Sequence, residues 1–150
     1  MVEMLDDVDR TILKMLLENS RVPYTRIAEK VGMSEPAIKK RVEKLVKGGI
    51  IESFTIEVDP WKLGKSLIAL VFINASPGKH RAVAETISKI EEVTEVNIVT
   101  GQFDMMAKIV CENPRHFEKT IQKIGSIPEV LKTESFVVIE HLEGNRFMGL

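Results

Sequence analysis

Apolar residues recur with a helical period before residue 48 and with a strand-like density after residue 66. Val8, Ile12 and Leu16 share one helical face, which predicts a helix over Asp6 to Asn19. Asp6, Asp7 and Asp9 at its start suit the positive end of the helix dipole. Ser20 to Pro23 interrupt it. Tyr24, Ile27, Ala28 and Val31 fall at i, i+3, i+4 and i+7, a second helix closed by Gly32. Ser34 is a natural N-cap for a third helix, from about Glu35 to Lys47, with Pro36 in its first turn. Ile38, Val42, Leu45 and Val46 form its predicted core face, and Gly48-Gly49 ends it. Ile50 to Val58 reads as two short strands around Glu52-Ser53, a small hairpin or wing.

Pro, Gly and lysine gather in Asp59 to Lys65, and the pattern changes after them. The expected organisation is a domain at 1–59, a linker at 60–65 and a second domain at 66–150. The second half carries a faint repeat at an offset of 34 residues, in which Val83, Ile87 and Ile90 match Phe117, Ile121 and Ile124. Strand-like runs between the repeats exclude a helical solenoid. Leu67 to Ile73, Val96 to Thr100, Met105 to Val110 and Phe136 to Ile139 are the predicted strands. With the two helices they give a βαββαβ order, a ferredoxin-like sheet covered on one face. The fold class expected for the chain is therefore α+β, a winged helix-turn-helix followed by a ferredoxin-like domain. Neither Leu67–Ile73 nor Phe136–Ile139 alternates apolar with polar, as a half-exposed sheet should. A second copy of the sheet is the economical cover, so a homodimer is expected.

Composition narrows the function. The chain has 150 residues, a formal net charge of −1 and one cysteine, Cys111, which has no internal disulfide partner. No apolar run reaches the length of about 18 residues that crosses a bilayer. The segment Met1 to Asp7 is acidic and lacks the order of a signal peptide. A cytoplasmic protein with no membrane association is the expectation. His80, His116 and His141 have no metal-ligand spacing, and no phosphate loop, nucleophile elbow or paired-carboxylate motif occurs. Neither a metal, a cofactor nor an enzymatic activity is expected.

A near-neutral chain is unusual for a nucleic-acid partner, but the distribution of charge decides. Lys40, Lys44 and Lys47 project from the outer face of the third helix, with Lys39 at the flank. A short helix, a tight turn at Gly32 and a longer basic helix are the parts of a helix-turn-helix that reads double-stranded DNA. Ser34, Glu35, Pro36, Lys39 and Lys40 would face bases and phosphates, and Glu35 suits a cytosine amino group. Arg41 flanks the core face, either to reach a phosphate or to pack its stem. A solvated lysine face is the plainer alternative, and the turn and expected wing favour DNA.

Thr100 to Asp104 is expected to join the two central strands. Gly101 permits close approach to the backbone, free N–H groups in such a turn suit a carboxylate, and Asp104 suits an ammonium group. The pair would fit an amino acid. Taken alone, these residues fit a plain hairpin better.

Four segments together resemble the Lrp/AsnC, or feast/famine, family of regulators. They are Leu5 to Leu13, Ile27 to Ser34, Val42 to Leu45 leading to Gly49-Ile50-Ile51, and Thr100 to Asp104. The resemblance implies dimers through the ferredoxin-like domain, assembly into octamers or other rings, and an amino acid bound between dimers. It implies that Gly101, Gln102, Phe103 and Asp104 hold the effector, with Thr133 and Ser135 of the last strand nearby. Gln102 does not reveal which effector. Two other readings stay open: an architectural DNA-wrapping protein without an effector, and a metabolic ligand-binding module.

Overall fold

The computed structural model describes residues 4–150, so the Met1–Glu3 part of the acidic N-terminal segment lies outside the described residues. The chain divides into two compact units. The first holds the residues up to Glu57 together with Leu142–Leu150, and the second is Val58–His141.

In the first unit, helices α1 (Asp7–Glu18), α2 (Tyr24–Val31) and α3 (Glu35–Lys47) form within a residue of their predicted limits. Asp6 and Asp9 make a reciprocal capping box that satisfies two backbone donors at the start of α1. Gly32 closes α2 in the left-handed conformation at φ 71, where a side chain would be strained. Ser34 Oγ accepts from the Ala37 N–H and starts α3. Ile12, Leu13, Leu16, Ile27, Ala28, Ile38, Val42 and Leu45 form one buried cluster. Ile38 has no solvent exposure; its replacement by Ala should cost about 2–5 kcal/mol.

Two expectations fail in this unit. Val46 is exposed rather than in the core. It lies about 80° around the helix from Ile38, at the edge of the apolar stripe. The expected wing is absent, for among the described residues no strand lies between α3 and residue 67. Residues 52–59 are coil with Phe54, Ile56 and Val58 exposed, because the segment has no ladder partner among the described residues. Residues 142–150 group with the helices, and Leu150 packs against their core.

The second unit begins after a short 3₁₀ turn at Trp61–Leu63. It contains β1 (Leu67–Ala75), α4 (His80–Ile87), β2 (Val93–Ile98), β3 (Met105–Cys111), α5 (Pro114–Gly125) and β4 (Val130–Val137). The sheet order is β2-β3-β1-β4, with every pair antiparallel, as the βαββαβ order requires. Alternation along β1 and β3 sends Ala69, Val71, Ile73, Met105, Ala107, Ile109 and Cys111 into a core shared with Val83, Ile87 and Ile124. Their counterparts in the 34-residue repeat, Phe117, Ile121 and Ile90, pack against the same core but are only partly buried, and Ile90 lies beyond the end of α4.

Two strands differ from expectation. β2 starts at Val93 and stops at Ile98, before Thr100. β4 covers Val130–Val137 rather than 136–139, and Ile139 is 95% exposed. Register against β1, from Ala75↔Val130 to Ala69↔Val137, selects this strand, and apolar density misplaces it. β2 is also a sheet edge, so residues 100–104 join an edge strand to a central one, not two central strands.

The opposite sheet face carries Leu70, Phe72, Met106 and Phe136, placed there by the pairs Leu70↔Phe136 and Phe72↔Met106. Phe136 is 49% exposed and stands edge-on to Phe72, with ring centroids 5.6 Å apart.

Candidate functional site

The α3 surface follows from its stripe. With Ile38, Val42 and Leu45 buried, Ser34, Glu35, Pro36, Lys39, Lys40, Lys44 and Lys47 are all exposed. Pro36, Lys40 and Lys47 lie nearly opposite Ile38 around the axis, on the outermost ridge of the helix. Lys44 and Lys47 fall in the last turn, where the helix dipole favours cations. The face can offer phosphates a row of ammonium groups and offer bases the polar groups of its first turn.

Arg41 stands apart from that face. Its Nη1 donates to Asp6 Oδ2 and to Asp9 Oδ1, each at 2.8 Å. These hydrogen bonds raise the guanidinium pKa, while the bond from the Asp9 backbone and then that from Arg41 lower the Asp6 pKa. The guanidinium, expected either to reach a phosphate or to pack its stem, is engaged within the unit and ties α3 to the capped start of α1. Periodicity places Arg41 at the flank but does not show partners 32 and 35 residues away.

The loop between β2 and β3 is shaped by its own hydrogen bonds. Gly101 has φ 130, a backbone conformation that side chains rarely adopt. Among the described residues, the N–H groups of Gly101, Gln102 and Phe103 donate to no protein acceptor. Asp104 Oδ2 accepts from the Ala75 N–H at 2.8 Å and from Asn74 Nδ2 at 3.5 Å. Asn74 Nδ2 also donates to Gln102 O at 2.9 Å, and the Asp104 N–H donates to Ile73 O at 3.0 Å. The Asp104 side chain thus continues the β1–β3 ladder one rung beyond Met105. One of its carboxylate oxygens serves the fold.

Phe103 packs beside Phe72 at 5.3 Å, and Lys132 Nζ lies 5.5 Å from the Phe103 ring centre. This arrangement gathers Phe72, Phe103, Lys132 and Phe136 on the open face of the sheet. Thr133 and Ser135 do not join them. They pair with Ile73 and Val71, whose side chains point to the helix-covered face. Asn74 and Lys132 are the neighbours that sequence reasoning missed. The signal for Asn74 was one amide ending an otherwise apolar strand.

Of the histidines, His116 serves local structure. His116 Nε2 lies 2.9 Å from Glu92 Oε1, and His116 Nδ1 accepts from the Glu112 N–H at 3.4 Å. Cys111 is buried beside Thr120, and burial pushes its thiol up. Among the described residues no group of three or more His, Cys, Asp or Glu could hold a metal ion. No helix among them is long and apolar enough to cross a membrane.

Comparison with known proteins covers both units. Residues 5–46 match the AsnC-type helix-turn-helix domain, and residues 68–146 match the Lrp/AsnC ligand binding domain. The chain is 37% identical over 136 residues to the HTH-type transcriptional regulator FL11 of Pyrococcus abyssi, covering 91% of this chain and 90% of that protein. It is 38% identical over 141 residues to the regulator LrpA of Pyrococcus horikoshii, covering 93% of this chain and all of that one. The solved structure of E. coli AsnC superposes with a TM-score of 0.88 at 30% identity, covering 95% of this chain and 97% of that one. A Neisseria meningitidis transcriptional regulator, solved as its L-Met complex, shares the fold with a TM-score of 0.88 at 22% identity, covering 97% of this chain and 96% of that one.

Proposed function

Because the chain belongs to the Lrp/AsnC family of transcription regulators, with a DNA-binding helix-turn-helix and a ligand-binding domain, we propose that it reads operator DNA with α3 and answers to an amino acid. Its relatives are named as transcriptional regulators and the family is not an enzymatic one. The observation that carries the DNA reading is the α3 surface, where a buried apolar stripe leaves Ser34, Glu35, Pro36, Lys39, Lys40, Lys44 and Lys47 outward. The lysines supply phosphate contacts, and Ser34, Glu35 and Lys39 tune which bases are preferred.

The effector reading rests on Gly101–Phe103. Three successive N–H groups without an acceptor among the described residues are the donor set a carboxylate takes. The L-Met complex of the Neisseria regulator supports an amino acid as the class. Asp104, through its second oxygen, is the proposed ammonium partner, and Gln102 and Phe103 border the ligand. Thr133 and Ser135 contribute only through the backbone of β4, since their side chains face the other way. Calorimetry of the full chain against the twenty amino acids tests this reading. Binding of at least one of them supports it, and no heat at millimolar concentration leaves the architectural alternative. One observation favours that alternative, namely the use of Asp104 Oδ2 by the chain's own backbone.

Assembly is the third part. The face bearing Leu70, Phe72, Met106 and Phe136, with Lys108 and Glu134 beside them, is partly exposed, and a second copy of the same sheet is the proposed cover. The dimers then associate into octamers or other closed rings. The full chain should sediment as a dimer or a multiple of one, and Leu70→Lys should shift it to monomer. A monomeric parent at micromolar concentration would sink this part.

A further inference from the structure

The open face of the sheet carries charge in a symmetric pattern. Two successive rungs cross β3, β1 and β4. Lys108, Leu70 and Phe136 make one rung, and Met106, Phe72 and Glu134 make the next. A half-turn about the centre of this patch exchanges Lys108 with Glu134, Leu70 with Phe72, and Phe136 with Met106. The two charges therefore stand at opposite corners, two strand spacings or about 10 Å apart across the sheet. The apolar residues of β1 lie between them.

Neither charge is well matched within the chain. Lys108 is half-buried on a central strand. Among the described residues, its ammonium makes no hydrogen bond or ion pair. Glu95 is its cross-strand neighbour on β2, but the Glu95 carboxylate accepts from Asn97 Nδ2 at 2.6 Å. Glu134 Oε2 lies 3.6 Å from Lys132 Nζ, and that ammonium also stands 5.5 Å from the Phe103 ring centre. Both side chains of this pair are substantially exposed, where an ion pair is worth little.

Covering the face takes water away from Lys108. An ammonium removed from water is costly unless an anion replaces the water. A two-fold interface is self-complementary, so residue i meeting residue j implies that j meets i. A dyad lying between two copies of this face, at right angles to the Lys108–Glu134 diagonal, sets each ammonium against the other copy's carboxylate. Two ion pairs close together, and Leu70 and Phe72 stay packed at the centre.

Resting on the dimer proposed above, we infer that Lys108 pairs with Glu134 of the partner subunit. This charge pattern fixes the register of the two sheets. It also selects a second copy of this chain over a relative whose charges differ at these corners, because like charges brought together oppose association.

The test uses the full chain and native mass spectrometry at micromolar concentration, with one member of each mixture isotopically heavy. Lys108→Glu and Glu134→Lys alone should each weaken self-association about tenfold or more, since each sets like charges together at both pairs. Mixed in equal amounts they regain opposite charges, and the heterodimer should exceed either homodimer about tenfold. Random mixing would overturn the pairing. Lys108→Glu mixed with Glu95→Lys should show no such excess; an excess there would assign the ammonium to Glu95 instead. The neutral variants Lys108→Gln and Glu134→Gln repeat the test without repulsion. Each should weaken self-association about threefold or more, and both in one chain should cost no more than either alone, as one shared ion pair requires. Additive losses would contradict it. A monomeric parent fails the dimer reading itself, whereas a dimeric parent whose charge variants associate equally well fails only the pairing.

Discussion

The Asp104 carboxylate accepts the Ala75 N–H at 2.8 Å, so the residue proposed to greet an ammonium group also finishes the β1–β3 ladder. Its replacement therefore has two consequences that must be separated. Asp104→Ala should leave the Ala75 donor without its partner, at a cost of about 1–3 kcal/mol in stability, and should also weaken effector binding. Asp104→Asn keeps an acceptor for Ala75 and loses the charge. It should retain most of the stability and lose effector affinity by roughly tenfold or more, the worth of a charge-assisted hydrogen bond. Thermal unfolding and calorimetry on both variants check this. Equal ligand affinity in parent and Asp104→Asn would remove Asp104 from the site.

The outer ridge of α3 gives a prediction in salt. Lys40 and Lys47 are exposed on the face opposite Ile38. Lys40→Ala with Lys47→Ala should weaken binding to every duplex and reduce the log–log salt slope by about 0.9 for each phosphate no longer neutralised. Glu35→Ala should instead change which sequence is preferred while keeping the slope. Fluorescence anisotropy titrations at several salt concentrations decide it, and an unchanged slope in the double variant would take DNA off this face.

Glu92 sets the response of the second unit to acid. It is 8% exposed, and burial alone would raise its pKa. Hydrogen bonds from His116 and Lys123 outweigh burial and bring it from 4.5 down to about 2. A carboxylate whose folded pKa is depressed contributes stability that is complete above its unfolded pKa and is lost as pH falls through the folded one. The contribution should therefore fade from about pH 4.5 to about pH 2. Glu92→Gln should lower stability at neutral pH and flatten the loss across that window. A parent and variant with parallel acid-unfolding curves would contradict this role.

Local pattern is enough for the helices because their signals are local. Asp6, Gly32 and Ser34 each act within a few residues, and all three sit where caps are required. The stripe of Ile38, Val42 and Leu45 likewise fixes the outward face of α3. What fails depends on partners distant in the chain. Apolar density displaces β4 because Lys132 and Glu134 hide a strand whose identity comes from its pairing with β1. Phe54, Ile56 and Val58 suggest a wing because their alternation suits a strand, but that strand finds no partner among the described residues. Arg41 looks free for phosphate in the sequence because its carboxylate partners belong to the start of another helix. Gly101 marks the proposed ligand loop in the sequence, but the use of Asp104 by Ala75 emerges only once the sheet is formed.

Effector-dependent DNA binding is the central claim, and one titration addresses it directly. The full chain is first allowed to select duplexes from a random pool, and its affinity for the selected sequence is then measured with and without each of the twenty amino acids. A dimer presents two copies of α3, so the selected sequence should contain two-fold repeated half-sites. At least one amino acid should shift the affinity about fivefold or more, since coupling must reflect a ligand's preference between two states of the protein. Selection of a repeated sequence whose affinity no amino acid alters at millimolar concentration would contradict the claim.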